Sequence, residues 1–518
     1  MKRIYIAALA LAVVALPSVA QETYENAKLI TEDLNGTARY VGMGGALEAL
    51  GADISTIGSN PAGIGVLRSS NVSLSFGINT QEGAADFNNA NKTRWSFDQA
   101  GFVYSTNEDD ESYVNIGFNY HKSRNFDYIL SAADGLRYAS QNKLTYAKAK
   151  NGLLFEVKND GSPDPNQSYA SCSQLDYMYA DYLNYDAPTN IWYYDEATDY
   201  TLDRHHKGYI GEYDINLSGS INNRVFLGLT LGVHDVHYKH YGEYREHLTN
   251  NSNILVADDR EITGNGYNVK AGIIFRPIEY SPFRVGMYVN TPTWYSLETW
   301  NSTTIDMRGG SYTFQTGSSE SYKFKLYTPW KFGLSLGHTI GTQLALGLTY
   351  EYASYGSTDT RYNTEGYYDS WDNYHSSRSD DIMNRHTDQT LKGVSTLKAG
   401  LEFKPTPEFA VRLGYNYVSP MYNKDGFKDG TLQTDGSYYS SATDFTNWDS
   451  TNRITCGLGY TIDNLNFSLA YQYTTTKGKF MPFMTYMDDT TPADDINVNE
   501  VDVNNKRHQV LFTVGYTF

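Results

Sequence analysis

"RITCGLGYTIDNLNFSLAYQYT", residues 453–474, alternates with a period of two on both sides of a central turn. Ile454, Cys456, Leu458, Tyr460 and Ile462 fall on one face, against Arg453, Thr455, Gly457, Gly459 and Thr461 on the other. In the second half Leu465, Phe467, Leu469, Tyr471 and Tyr473 oppose Asn466, Ser468, Ala470, Gln472 and Thr474. Successive side chains of a strand point to opposite faces, so this is the pattern of two paired strands. Asp463-Asn464 between them reads as a two-residue hairpin turn. The second face is polar or glycine, not merely less apolar. A sheet standing between lipid and water needs that two-sidedness.

The same pattern recurs along the chain. Strands are expected near 71–79, 94–105, 112–126, 207–221, 225–238, 266–276 and 284–296, then 321–338, 343–355, 393–404, 409–418, 451–462, 465–474 and 506–518. That is fourteen, an even number. In the second, Trp95 and Phe97 are out of phase with Phe102 and Tyr104, which a bulge near Asp98–Gly101 would explain. Short connections follow every second strand: "INNR", "RPIEYSPFR", "HTIGT", "KPTPE" and "DN". Long loops are expected at 127–206, 242–262, 297–320, 356–392, 419–450 and 475–505, all at one end of an up-and-down meander. The fold class is therefore all-β, a 14-stranded antiparallel transmembrane β-barrel over 71–518. Tyr238, Tyr241, Tyr350, Tyr352, Tyr415 and Tyr417 suit an interfacial girdle. A soluble sandwich would hide its apolar faces and alternate its loop lengths less regularly.

Residues 1–20 read as a secretory signal peptide: Lys2 and Arg3, an apolar run from Ile4 to Leu16, and a small-x-small site before Gln21. No later stretch of about 18 apolar residues exists, so no membrane helix is expected. The formal charge of −18 argues against a nucleic-acid partner. Two cysteines in an exported chain of this length make no disulfide framework.

Residues 21–70 precede the wall and have no place in it. Val41, Met43, Ala46, Leu47 and Leu50 make them apolar enough to pack, so they are expected to form an N-terminal hatch, or plug, inside the lumen. "GTARYVGMGGALEALGADISTIGSNPAGIGVLRSSNVSLSFG" resembles the hatch of the outer-membrane transporters for long-chain fatty acids and other hydrophobic compounds. Asn60-Pro61-Ala62-Gly63 matches that family's hatch motif, and "NTPTWYS" (290–296) and "YTPWKFGLSLG" (327–337) are similar to its mid-barrel strands.

The resemblance implies passive uptake: a hydrophobic small molecule is caught in outer loops, held inside the barrel and released sideways through the wall into outer-membrane lipid. Asn60, Pro61, Ala62 and Gly63 would be the gate, with Gly58, Gly63 and Gly65 allowing tight bends. Gly117 would kink the third strand at the opening, beside Asn119 and His121. Ile129, Leu130, Met178, Tyr182 and Leu183 would line an outer hydrophobic groove. The strand ending at Phe518 is similar to the signal read by barrel assembly machinery, and the cell outer membrane is the expected location. No cofactor is expected. Lys270, Lys398, Glu402, Arg412 and Arg453 fall on the lumen face, which implies a wet, charged interior.

A substrate-specific porin is the main alternative. A haem-binding outer-membrane receptor is another, since His234, His237, His240 and His247 crowd one segment, although alternation separates His234 and His240 from His237. Calcium on Asp425, Asp429 and Asp435 would not match an EF-hand spacing, so no metal site is expected and a turn-rich loop is the better reading. No nucleophile–histidine array stands out, so the chain reads as a non-enzyme.

Overall fold

The computed structural model describes residues 22–107, 112–157, 163–168, 172–180, 185–186, 189, 191–309, 312–368, 374–432, 434, 442–487 and 491–518. The expected signal peptide, 1–20, lies outside them. Among the described residues the wall strands are β1 (Asn71–Gln81), β2 (Thr93–Asn107), β3 (Tyr113–Asn125, continued by Tyr128–Ala139), β4 (Ala197–Ile221) and β5 (Val225–Leu248). Next come β6 (Asn253–Phe275), β7 (Arg284–Asn290, then Trp294–Gly309), β8 (Tyr312–Tyr327, then Lys331–Ile340) and β9 (Leu344–Ser354, then Asp359–Tyr368). β10 (Gly393–Phe403), β11 (Phe409–Val418), β12 (Phe445–Ile462), β13 (Leu465–Met481) and β14 (Val501–Thr517) complete the set. Each pairs antiparallel with its neighbours in sequence, and β14 closes on β1 from Asn71↔Thr517 to Gln81↔Arg507. Closure leaves no free edge, the condition for a sheet in lipid.

The two-sidedness holds. Leu74, Phe76, Ile116, Leu217, Leu229, Leu334, Leu413 and Leu458 are exposed on the outer face, while Ser73, Ser75, Asn115, Asn216, Thr230 and Ser335 are buried on the inner one. No helix among the described residues is long and apolar enough to cross a membrane. Tyr350, Tyr352 and Tyr415 are exposed as a girdle requires, but Tyr238 points inward and is buried.

Two details differ from the sequence reading. The strands expected at 284–296 and 321–338 are each broken, at Pro292 and Pro329, because proline has no N–H for the ladder. The expected loops 242–262 and 297–320 are in large part hairpins: β5 and β6 run on to a turn at 249–252, and β7 and β8 pair up to Gly309↔Tyr312. Beyond the membrane these strands keep their alternation because one face packs on a second core. Tyr244, Leu248, Ile254, Val256, Ile305 and Met307 join Leu130, Phe480 and Phe483 beneath two helices (Gln141–Lys150 and Gln174–Tyr179). The bulge expected in β2 is present, with Asp98 unpaired between Ser75↔Gln99 and Phe76↔Phe97.

Residues 22–70 fill the lumen. Helix αN1 (Thr23–Leu29) lies in the half nearer the long connections, stacked by Tyr24 on Tyr422. A second helix (Ala38–Gly42) and two 3-10 turns (Ile54–Gly58 and Pro61–Val66) sit toward the short-turn rim. Thr37 and Asp53 cap the second helix and the first 3-10 turn with their side chains.

Candidate functional site

The hatch seats on the wall backbone to backbone. A Cβ on Gly347 would collide with the carbonyl oxygen of Ala46, and one on Gly400 with that of Met43. Gly228 faces the Pro61 carbonyl in the same way, and Gly272 leaves room for the Asn60 side chain. Only glycine permits this approach. The expected lumen charges then fix the seat. Lys398 Nζ donates to Glu48 Oε1 at 2.8 Å, and Tyr40 OH to the same oxygen at 3.0 Å. Glu402 Oε2 accepts from Arg39 Nε at 3.0 Å and from Arg412 Nε at 2.6 Å. Buried pairs of this kind add little net stability but strongly penalise losing one partner, so they specify a single seat.

Asn60, Pro61, Ala62 and Gly63, the residues expected to form a gate, are buried in that seat. Asn60 Nδ2 donates to the Glu48 carbonyl at 2.8 Å, and its Oδ1 accepts from Ala62 N at 3.2 Å. The turn packs mainly on β4, β5 and β6, with β3 at its edge. Gly117 is no kink: it pairs in register with Val103 on one side and Asn216 on the other. The irregularity lies at Ser123, unpaired between Lys122↔Gly211 and Arg124↔Ile210. A bulged residue switches the faces that follow, which brings Arg124, Phe126, Tyr128 and Leu130 to the lumen.

Together with hatch residues such as Tyr24, Lys28 and Asp33, these residues line a cavity of about 310 Å³. One side is aromatic and aliphatic: Phe126, Tyr128, Val418, Met421, Phe445 and Trp448. The other holds Arg124, Arg453 and Arg507 around one carboxylate. Arg124 Nη1 lies 3.0 Å and Arg453 Nη2 3.6 Å from Asp33 Oδ1. Burial alone would raise the Asp33 carboxyl, but Arg124, with Arg507 and Arg453, outweighs it and holds the group down at about 2. Three guanidinium groups against one carboxylate leave this pole cationic. Arg124 Nε and Asn505 Oδ1, both lining the cavity, are buried without a hydrogen-bond partner.

Beside the cavity the wall has a seam. β2 and β3 pair from Asn107↔Tyr113 only as far as Gln99↔His121. Beyond it no β2–β3 backbone pairing continues, and side chains bridge the strands instead. Lys122 Nζ donates to Ser96 Oγ at 2.5 Å, Arg94 Nη1 pairs with Asp127 Oδ1 at 3.0 Å, and Phe97 stacks on Tyr120 with ring centroids 5.5 Å apart. Tyr128 and Arg507 line both the main cavity and a smaller one of about 20 Å³ at this seam.

His121, Asn119 and Gly117 are brought together on the inner face of β3, as expected. The outer groove is not an open one: Leu130 and Met178 are part of the packed outer core, and Ile129 is buried with its backbone hydrogen-bonded to Gln81. Tyr182 and Leu183 lie outside the described residues, as does Asp435. The histidines separate as alternation demands. His234 and His240 point inward, His240 Nε2 lying 2.5 Å from Asp258 Oδ2, while His237 and His247 face out against Asp235 and Asp199. His121, Glu212 and Asp214 bring donor atoms within 4.8 Å of one another, but Lys270 Nζ bonds both carboxylates and supplies the cation there.

No protein-family model matches this sequence, and no curated protein matches it either. Solved structures do match. A FadL homologue of Pseudomonas aeruginosa aligns over 94% of this chain and 99% of its own, at 12% identity and a TM-score of 0.50. The toluene transporter TbuX of Ralstonia pickettii aligns over 94% and 99%, at 11% identity and a TM-score of 0.48. The likeness to the Pseudomonas protein is one of fold: a closed 14-stranded barrel with its N-terminal segment inside.

Proposed function

We propose that this hatch-bearing barrel carries hydrophobic compounds, long-chain fatty acids or similar amphiphiles, passively across a Gram-negative outer membrane. The seam is the observation that carries the reading. A path through the short-turn rim is filled by a hatch seated on wall glycines, whereas beside the cavity β2 and β3 are held only by side chains. An apolar solute that re-enters lipid sideways never crosses the hatch and loses no favourable environment on the way. No bond is made or broken, and no cofactor has a role. The apolar side of the cavity would take the chain or ring of the ligand. The unpaired Arg124 Nε and the excess guanidinium charge favour an anionic head over a neutral hydrocarbon. The compound would come from outer loops, and Phe518 would serve recognition by the assembly machinery. A porin would need an aqueous path through the half that the hatch occupies.

The test is uptake of labelled palmitate and of toluene by cells with and without the protein, using an Arg94→Cys, Asp127→Cys variant whose side chains meet across the seam. A short bifunctional thiol reagent should abolish the uptake that the same variant shows unreacted. Undiminished uptake after bridging would sink the lateral route.

A further inference from the structure

At the inner end of the seam, where β2 and β3 part, sits His121. It is the last residue of β3 paired with β2, and the hatch presses on it: a Cβ added to Gly58 would lie 3.1 Å from its Cε1. Both ring nitrogens face carboxylates of β4. Nε2 is 3.4 Å from Glu212 Oε2, and Nδ1 is 3.6 Å from Asp214 Oδ2. A neutral imidazole carries one N–H and can donate to only one of them. The donor count is therefore one short, and Asp214 Oδ2 is buried with no hydrogen-bond partner. Nδ1 meanwhile faces Asn119 Nδ2 at 3.5 Å, and Asn119 Oδ1 accepts from Gln99 Nε2 at 2.9 Å. The Gln99 amide continues to Ser73 of β1 at 3.0 Å. One ring thus stands between the carboxylates of β4 and a side-chain chain that ties β3 to β2 and β1.

We propose that His121 is a proton-operated latch on the seam. A proton taken from water onto Nδ1 makes the ring a donor to Glu212 and Asp214 together and sets a second donor against the Asn119 amide, so Asn119 turns away from Gln99 and the tie from β3 to β2 is released. Loss of that proton returns Nδ1 to Asn119 as an acceptor, restores the Asn119–Gln99 link and holds the seam closed. The other charged groups around the ring are His234 of β5, Lys270 of β6 and Glu32 of the hatch. Lys270 holds Glu212 Oε1 and Asp214 Oδ1, so the two remaining carboxylate oxygens are those turned to His121. The inference rests on the seam as exit and adds its regulation: release is faster in acid.

Spin labels at Trp95→Cys and Ala133→Cys, on the two sides of the seam, read its width without any ligand, with Cys172 and Cys456 replaced by serine. Electron–electron distance measurements on the full chain in nanodiscs should give one short population at about pH 8 and an added longer one at about pH 5, the range over which histidine changes charge. H121Q should remove the pH response. If H121Q does not assemble, Asp214→Asn takes away one of the two carboxylates and should do the same. A width unchanged by pH in the parent protein, or a response retained in H121Q or D214N, overturns the latch. Because no uptake is measured, a rigid seam refutes the latch even if transport is found, and a failed uptake assay leaves this result standing.

Discussion

Arg124 and Asp33 meet at 3.0 Å inside the barrel because Ser123 is bulged out of the β3–β4 ladder. Without the bulge, alternation from His121 would turn Arg124 to the outer face. With it, a wall strand and the hatch share an ion pair, and two more arginines gather at the same carboxylate.

That gathering predicts selectivity by charge. Arg507→Gln should weaken palmitate binding about tenfold, the ~1.4 kcal/mol of one charge-assisted hydrogen bond, and leave toluene binding unchanged. Quenching of Trp448, which lines the cavity, reads both ligands in detergent. Equal losses for the two would mean that the arginine pole does not contact the ligand.

The Asp33 carboxylate also predicts an acid limit for the hatch. Its folded value of about 2 lies below the ~3.9 of a free aspartate, so its contribution is complete above about pH 4 and is lost as the pH falls through 2. Amide exchange in residues 22–35 should accelerate over that window. In Asp33→Asn it should be fast already at pH 7 and flat across the window.

The hatch seat predicts a sealed pore. Gly347→Val should force Ala46 off the wall at a cost of about 1–3 kcal/mol and raise ionic current in planar bilayers, where the parent protein should hold no steady open channel. Gly515→Ala is the control, since its nearest neighbour, Val72 O, would be 3.5 Å from the new methyl group.

Asn60 predicts a local effect. Asn60→Ala removes a buried donor to the Glu48 carbonyl and the cap on Ala62 N, about 1–3 kcal/mol. Limited proteolysis should then cut within 54–66 while the barrel keeps its heat-resistant mobility on gels. Protection equal to the parent's would show that the glycines alone hold the turn.

Much of this was legible in the chain because lipid imposes period two on every wall strand. Even the Asp98 bulge could be read from the lost phase between Phe97 and Phe102. The Ser123 bulge could not, since Lys122, Ser123, Arg124 and Asn125 are all polar and a slip among them leaves no phase to lose. Arg124 therefore escaped notice, whereas Arg453, in a clean strand, did not. Pro292 and Pro329 were readable breaks, but the alternation on both sides ran through them. The long hairpins of β5 to β8 read as loops because their polar faces resemble loop composition. Their buried positions, such as Tyr244 and Ile254, touch a core that only tertiary packing creates.

The glycines that seat the hatch have a consequence for descent. Gly347 and Ala46, or Gly400 and Met43, belong to segments far apart in the chain, yet neither can change freely while the other stays. A larger residue in the wall demands a retreat of the hatch backbone, and a shifted hatch demands a new gap in the wall. Across relatives, such positions should therefore drift as matched couples, and a hatch transplanted from one lineage into the barrel of another should fit only where its partners travelled with it.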